Sequence, residues 1–234
     1  MLANALVWLE GVLMTLAIFD LDNTLIAGDS DHLWGEFLVE QKLVDGAQFK
    51  ASNDQFYQDY KDGRLDIHAY LRFALQPLSE HALSNLLDWR AQFLAEKIAP
   101  LMLPAAAQLL QQHRDQGHTL MIITATNDFV TGPIAEQLGV DYLLASKAQI
   151  IDGRYTGELD GVPCYREGKV QRLYEWLMDH PDKTMKDSWF YSDSHNDLPL
   201  LRKVRHAVAV DPDPVLLREA QTASWKVMSL RGQQ

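Results

Sequence analysis

The chain has 234 residues, with 32 Asp and Glu against 21 Lys and Arg, a net charge of −11 with histidine neutral. Apolar residues at 47% and charged ones at 23% are ordinary globular proportions, which excludes disordered and fibrous classes. The acid surplus argues against nucleic acid and anionic membrane as partners, because both need a basic footprint.

The surplus is uneven. Residues 1–41 hold seven acids (Glu10, Asp20, Asp22, Asp29, Asp31, Glu36, Glu40) and no Lys or Arg. The apolar run from Leu2 to Phe19 lacks a basic flank and is interrupted by Glu10, so neither an export signal nor a membrane span is expected. Met14 opens a compact strand, and residues 1–13 are expected to be an extension upstream of it. The single cysteine, Cys164, excludes an intramolecular disulfide and a multi-cysteine zinc site, and fits a reducing, cytoplasmic setting.

In chain order, Thr15–Asp20 reads as a buried strand. A helical stretch follows from about Ser30 to Ile98, divided by turn signals at Asp45-Gly46 and Asp62-Gly63. Gln76-Pro77-Leu78-Ser79 is expected to start a further helix with Ser79 as N-cap, and Pro100 and Pro104 close the block. Ala105–Gln116 is a helix ended by Gly117, and His118–Thr124 a second buried strand. Asn127 caps a helix over Asp128–Leu138, terminated by Gly139. Asp141–Ala145 is a third strand, Asp152-Gly153 a hairpin turn between short strands, and Arg166–His180 a helix. Ser188–Ser192 is a fourth strand, Asp197–Lys203 a short helix and Ala207–Val210 a fifth strand. A last helix lies near 213–222. Alternating strands and helices predict an α/β fold, a doubly wound parallel sheet. The helical block interrupts it after the first strand as an inserted cap. The expected division is a core of 14–28 and 99–234 with a cap of 29–98.

In open parallel sheets, ligands bind beyond the carboxyl ends of the strands. Those ends carry Asp20-Leu21-Asp22-Asn23-Thr24, Thr124-Ala125-Thr126-Asn127 and Asp193-Ser194-His195-Asn196-Asp197, while Lys169 opens the helix before the fourth strand. Carboxylates brought so close repel, and a hard divalent cation resolves the conflict. Mg²⁺ binds through a few carboxylates and substrate phosphate. One carboxylate of Asp20-x-Asp22 suits phosphoryl acceptance and the other suits proton transfer. Lys147, ending the third strand, is the rival to Lys169. The bland reading of His195 is a solvent-facing loop residue.

The set DLDNT at 20–24, Thr124 after an apolar run, Lys169, and DSHND at 193–197 resembles the haloacid dehalogenase superfamily of phosphohydrolases. The order and spacing are similar to subfamily IB, the phosphoserine phosphatase-like and histidinol-phosphatase-like proteins, and the insertion looks like their helical C1 cap. The resemblance implies Asp20 as nucleophile, Asp22 as general acid and base, and Thr124, Ala125 and Lys169 around the phosphoryl group. It implies Mg²⁺ on Asp20, the Asp22 carbonyl and Asp193. Asp197 would support that shell through water or through Lys169. The implied partner is a small-molecule phosphate monoester.

The departures concern the substrate. Phosphoserine phosphatases carry a glutamate nine residues after the nucleophile, where this chain has Asp29. They carry an arginine in the third cap helix, where this chain has Ala74, with Arg72 and Arg64 out of register. The glycine pair after the second motif is Ala125-Thr126. An acid without an arginine suits an amine without a carboxylate, which is the shape of histidinol phosphate. Asp29, His32 and Arg72 are the candidate substrate contacts, Asp29 being equally readable as a helix N-terminal charge. Phosphoserine hydrolysis, phosphotransfer to an alcohol, and a phospho-acceptor signalling module are the alternatives.

Overall fold

The structure is a computed structural model that describes residues 13–232. The expected extension therefore lies, except for Leu13, outside the described residues. Seven strands form one sheet: β1 (Met14–Phe19), β2 (Thr119–Asn127), β3 (Tyr142–Ile151), β4 (Arg154–Asp160), β5 (Lys183–Ser192), β6 (His206–Val210) and β7 (Lys226–Met228), in the order β4-β3-β2-β1-β5-β6-β7. All neighbours are parallel except the β3–β4 hairpin. The hairpin turns at Asp152 and Gly153, whose φ angles of 50° and 76° are the left-handed pair that a tight two-residue turn requires.

Alternation along β1 and β2 buries both faces. Ala17, Phe19, Leu120 and Ile122 join one apolar cluster, and Leu16, Ile18, Met121 and Ile123 the other. A strand covered on both sides reads as a continuous apolar run, as TLAIF and TLMII do.

Between β1 and β2 lie α1 (Ser30–Glu40), α2 (Gly46–Lys61), α3 (Ile67–Glu80), α4 (Leu83–Phe93), a π-helical turn (Leu94–Ile98), a 3-10 turn (Ala99–Leu101) and α5 (Pro104–Asp115). The two ends of the insertion meet: Ala27 N–H donates to Leu101 O at 2.9 Å, and Ile26 bridges Met102. The insertion shares its core with the sheet, since Phe37, Leu71, Leu75 and Leu78 sit in the cluster that holds Phe19 and Ile122. After β2 come α6 (Asp128–Leu138), α7 (Glu167–Asp179), α8 (Leu198–Leu201) and α9 (Pro214–Thr222). No helix among the described residues is long and apolar enough to cross a membrane.

The α/β sheet and the hairpin match the sequence expectation, and three local readings need correction. The expected helix start at Ser79 is the last turn of α3. Pro77 is buried there with Leu71, Ala74, Leu75 and Leu78, so packing holds the helix through the proline, and Ser79 Oγ donates to Gln76 O at 2.7 Å. The next helix starts at Leu83. The third strand does not end at Ala145 but continues into the hairpin, and the second continues past Thr124 to Asn127. The short edge strand β7, half exposed and without an apolar run, was not expected.

Candidate active site

β1 and the turn after it deliver the two aspartates. Asp20 N–H is held by Tyr191 O of β5 at 2.9 Å, Leu21 is buried in the apolar cluster, and Asn23 takes a left-handed φ of 55°. Asp22 is clasped from two sides. Ser30 N–H donates to its Oδ1 at 2.6 Å, Thr126 Oγ1 to its Oδ2 at 2.8 Å, and Thr124 Oγ1 to the same oxygen at 3.4 Å. Thr124 and Thr126 alternate on β2, so both reach the same side of the strand.

Lys169, on the first turn of α7, is fully enclosed. Its Nζ donates to Asp20 Oδ1 at 2.8 Å and lies 2.7 Å from Asp197 Oδ1. Asp197 also accepts from Ser192 Oγ at 2.7 Å. Thr24 closes the rim, its Oγ1 donating to Asp193 Oδ1 at 3.2 Å and accepting from Asp193 N–H at 3.0 Å. The structure thus brings together Asp20, Asp22, Thr124, Lys169, Asp193 and Asp197. Lys147 is elsewhere, paired with Asp160 at 2.7 Å at the surface.

This site has too little positive charge. Burial, reinforced by Asp197 and Asp22 and opposed by Lys169, pushes the Asp20 carboxyl up to about 7. Burial raises Asp22, against its bonds from Ser30 and Thr126, and raises Asp193 well above the carboxylate range with help from Asp20 and Asp197. Burial opposes the Lys169 charge, yet Asp197 and Asp20 hold it protonated above its ordinary value. One ammonium among four buried carboxylates, with only oxygen donors, fits a hard divalent cation. The carboxylates free to hold it are Asp20 and Asp193, because those of Asp22 and Asp197 are already engaged. The nearby His195 is not a solvent-facing residue but is held to Asp213, its Nδ1 lying 2.7 Å from Asp213 Oδ2. Among the described residues, a separate group of His32, Glu36 and Asp54 has metal-ligand spacing, but Lys50 Nζ occupies Asp54 Oδ2 at 3.0 Å.

A cavity opens over Asp20, Asp22, Thr124 and Ala125. Its far walls are Asp29, Asp31 and His32 of the α1 start, Asn53, Phe56, Tyr57 and Tyr60 of α2, and Leu65, Ile67 and Tyr70 around the start of α3. None of the lining residues is Lys or Arg. Asp29 is the N-cap of α1, its Oδ1 accepting from Asp31 N–H at 3.1 Å and His32 N–H at 2.8 Å. His32 stacks on Tyr57 with ring centroids 4.4 Å apart. Arg72 is not brought to the site: it is on the exposed side of α3, whose buried side carries Leu71, Ala74 and Leu75. Cys164 is buried, its thiol pushed up to about 12, and is unreactive.

Several lining residues were not anticipated. Tyr57 and Tyr60 stand three apart on one helix face, and Thr126 two apart from Thr124 on one strand face, so a periodicity signal existed for them. Asp31, with Asp29, was expected at the cap entrance from its place in the acidic first segment, whereas Asn53 and Tyr70 carried no such signal, because only the packing of α2 and α3 over the sheet brings them there.

The family model for haloacid dehalogenase-like hydrolases matches residues 17–202. A histidinol-phosphatase from Neisseria meningitidis serogroup C is 42% identical over 219 residues, covering 92% of this chain and 99% of that protein. A crystal structure of a protein with unknown function from Bordetella pertussis Tohama I superposes with a TM-score of 0.86 at 38% identity, over 93% of this chain and 99% of that one. A substrate-bound phosphoserine phosphatase shares the fold, with a TM-score of 0.67 at 19% identity over 93% and 94% of the two chains. A hydrolase family sets aside the signalling-module alternative. The chain belongs to the haloacid dehalogenase-like hydrolases, and it is a phosphatase.

Proposed function

We propose that the protein is a Mg²⁺-dependent phosphomonoesterase that hydrolyses histidinol phosphate through an aspartyl-phosphate, in the cytoplasm. The observation that carries the substrate reading is the cavity wall. It is made of carboxylates and aromatic rings with no Lys or Arg. Such a wall favours an organic cation and offers nothing to a substrate carboxylate. The relative from Neisseria meningitidis bears the name of that activity.

Lys169 holds Asp20 Oδ1, leaving Oδ2 to attack phosphorus. The Asp20–phosphorus bond forms as the bond to the substrate alcohol oxygen breaks. Asp22, whose carboxyl burial raises above the ordinary carboxylate range, passes a proton to the leaving oxygen. As a carboxylate it then takes a proton from water, whose oxygen attacks phosphorus and releases Asp20 and inorganic phosphate. Thr124 Oγ1, the Ala125 N–H and the Lys169 ammonium donate to the phosphoryl oxygens. Asp20, Asp193 and the Asp22 carbonyl would hold Mg²⁺, which would supply positive charge to offset the carboxylates and the phosphoryl oxygens. The α1–α3 roof excludes water during the transfer.

The test is phosphate release from histidinol phosphate, phosphoserine and 4-nitrophenyl phosphate by purified protein with Mg²⁺. The expected kcat/KM favours histidinol phosphate over phosphoserine by about ten-fold or more, and Asp20→Asn abolishes turnover of all three. A preference for phosphoserine refutes the substrate reading, and metal-dependent turnover by Asp20→Asn refutes the nucleophile. Formation of a new phosphate ester with added alcohols would replace hydrolysis by phosphotransfer.

A further inference from the structure

The mechanism leaves two carboxylates of the cavity, Asp29 and Asp31, without a chemical task. Neither forms an ion pair with Lys, Arg or His among the described residues. Their settings differ. Asp29 has one oxygen engaged by the helix, its Oδ1 taking both capping bonds of α1. Asp31 is only 7% exposed, lines the cavity, and receives two side-chain hydrogen bonds, from Asn127 Nδ2 at 3.2 Å and from the Tyr70 hydroxyl of α3. A carboxylate offers about four acceptor positions, and burying one so sparsely served is costly without a cation. Burial, with Asp22 nearby and against the bonds from Tyr70 and Asn127, pushes the Asp31 carboxyl up to about 7.

His32 does not supply that cation. Asn53 Nδ2 donates to His32 O at 2.9 Å and lies 3.1 Å from His32 Nδ1, while His32 Nε2 faces Glu36 and Asp54 at 3.7 and 3.8 Å. The rings of Phe56 and Tyr70 complete the wall beside Asp31, while Tyr57 is already stacked by His32 and carries the Lys61 ammonium 4.2 Å from its ring centroid.

We infer that Asp31, framed by Asn127 and Tyr70, is the specificity-determining residue that receives the cationic nitrogen of the substrate, and that Asp29 is a helix cap rather than the amine contact. The inference rests on the phosphatase reading of Asp20 and locates the recognition of the leaving group. It moves amine recognition from the ninth residue after the nucleophile to the eleventh. At that position the side chain faces both the β2 terminus and α3.

The experiment measures kcat and KM of the Mg²⁺-loaded enzyme for histidinol phosphate and 2-aminoethyl phosphate against 4-nitrophenyl phosphate, in wild type, Asp31→Asn, Asp29→Asn and Tyr70→Phe. In Asp31→Asn the ratio of kcat/KM for the cationic over the neutral ester falls about ten-fold or more, mainly through KM. Asp29→Asn retains a capping oxygen and holds the ratio within about three-fold. Tyr70→Phe lowers the ratio in the same direction by a smaller factor, and it decides the matter should Asp31→Asn fail to fold. A wild-type enzyme without preference for either cationic ester overturns both the substrate reading and this inference. A wild-type preference that survives in Asp31→Asn, or collapses in Asp29→Asn instead, overturns this inference alone.

Discussion

Lys169 Nζ and Asp20 Oδ1, 149 residues apart in the chain, meet at 2.8 Å in the interior. The same ammonium is shared with Asp197, so one lysine holds the end of β1 to the 3-10 turn after β5. The pair does two jobs. It orients one oxygen of Asp20, and it supplies the only protein cation in contact with the catalytic carboxylates among the described residues.

Removing that cation leaves two buried carboxylates facing each other. Lys169→Met is expected to destabilise the metal-free protein by about 3–5 kcal/mol, the cost of breaking a buried pair from one side. Denaturant titration with and without Mg²⁺ reads this out. The loss should shrink when Mg²⁺ is present, whereas turnover stays depressed because the phosphoryl contact is gone. Unchanged metal-free stability would contradict the role.

Metal removal should act on stability as well as on rate. Chelation is expected to abolish turnover, with recovery on adding Mg²⁺ but not a monovalent salt. In wild type, Mg²⁺ raises the thermal midpoint, since a cation that binds only the folded state stabilises it. Asp193→Asn should lose most of that rise, because Asp193 has Thr24 as its one side-chain partner and is otherwise open to the ion. A full Mg²⁺-dependent shift in Asp193→Asn would exclude it as a ligand.

Gly168 sets the approach of α7. A Cβ placed there would clash with the backbone carbonyl oxygen of Pro163, which cannot yield as a side chain would. Gly168→Ala is therefore expected to cost about 1–3 kcal/mol and to lower kcat through the displaced Lys169 next to it. Thermal unfolding and single-substrate kinetics check both halves. Wild-type values in both would show that the backbone of α7 shifts freely.

The carboxyls of Asp31 and Asp20 are both raised to about 7, chiefly by burial. The folded protein therefore keeps protons at a pH where the unfolded chain, with ordinary carboxyls near 3.8, has lost them. Their contribution to stability is complete below about pH 4 and is lost as pH rises toward 7. Metal-free protein should thus lose on the order of a few kcal/mol from these groups across that window. Asp31→Asn should flatten part of the slope in a pH series of denaturant midpoints. An identical slope in that variant would show that Asp31 is not protonated there.

The strands at the centre of the fold were legible because TLAIF and TLMII bury both faces, and the chemistry collects at their carboxyl ends by the geometry of parallel sheets. The α3 boundary was not, since Pro77 and Ser79 are local stop and start signals that burial of one helix face overrides. Asp29 kept two readings in the sequence, and the fold is compatible with both, since it caps α1 through bonds from the Asp31 and His32 N–H groups and also lines the cavity.

The sequence by itself determined the central strands and the acidic pair Asp20 and Asp22, because each rests on local pattern, and it left Lys169 and Lys147 as rivals for the charge that answers them, which the fold decided by burying Lys169 against Asp20. Only the tertiary structure decided what surrounds the leaving group. Asp31, Tyr70 and Asn127 come from α1, α3 and the end of β2, and their meeting depends on how the helical insertion packs across the sheet. The acid surplus of the first 41 residues, a bulk property in the sequence, becomes in the fold a pair of carboxylates at the end of β1 and a separate carboxylate in an aromatic-walled cavity. Burial is the reason: a charge in water is screened, and the same charge enclosed demands a partner.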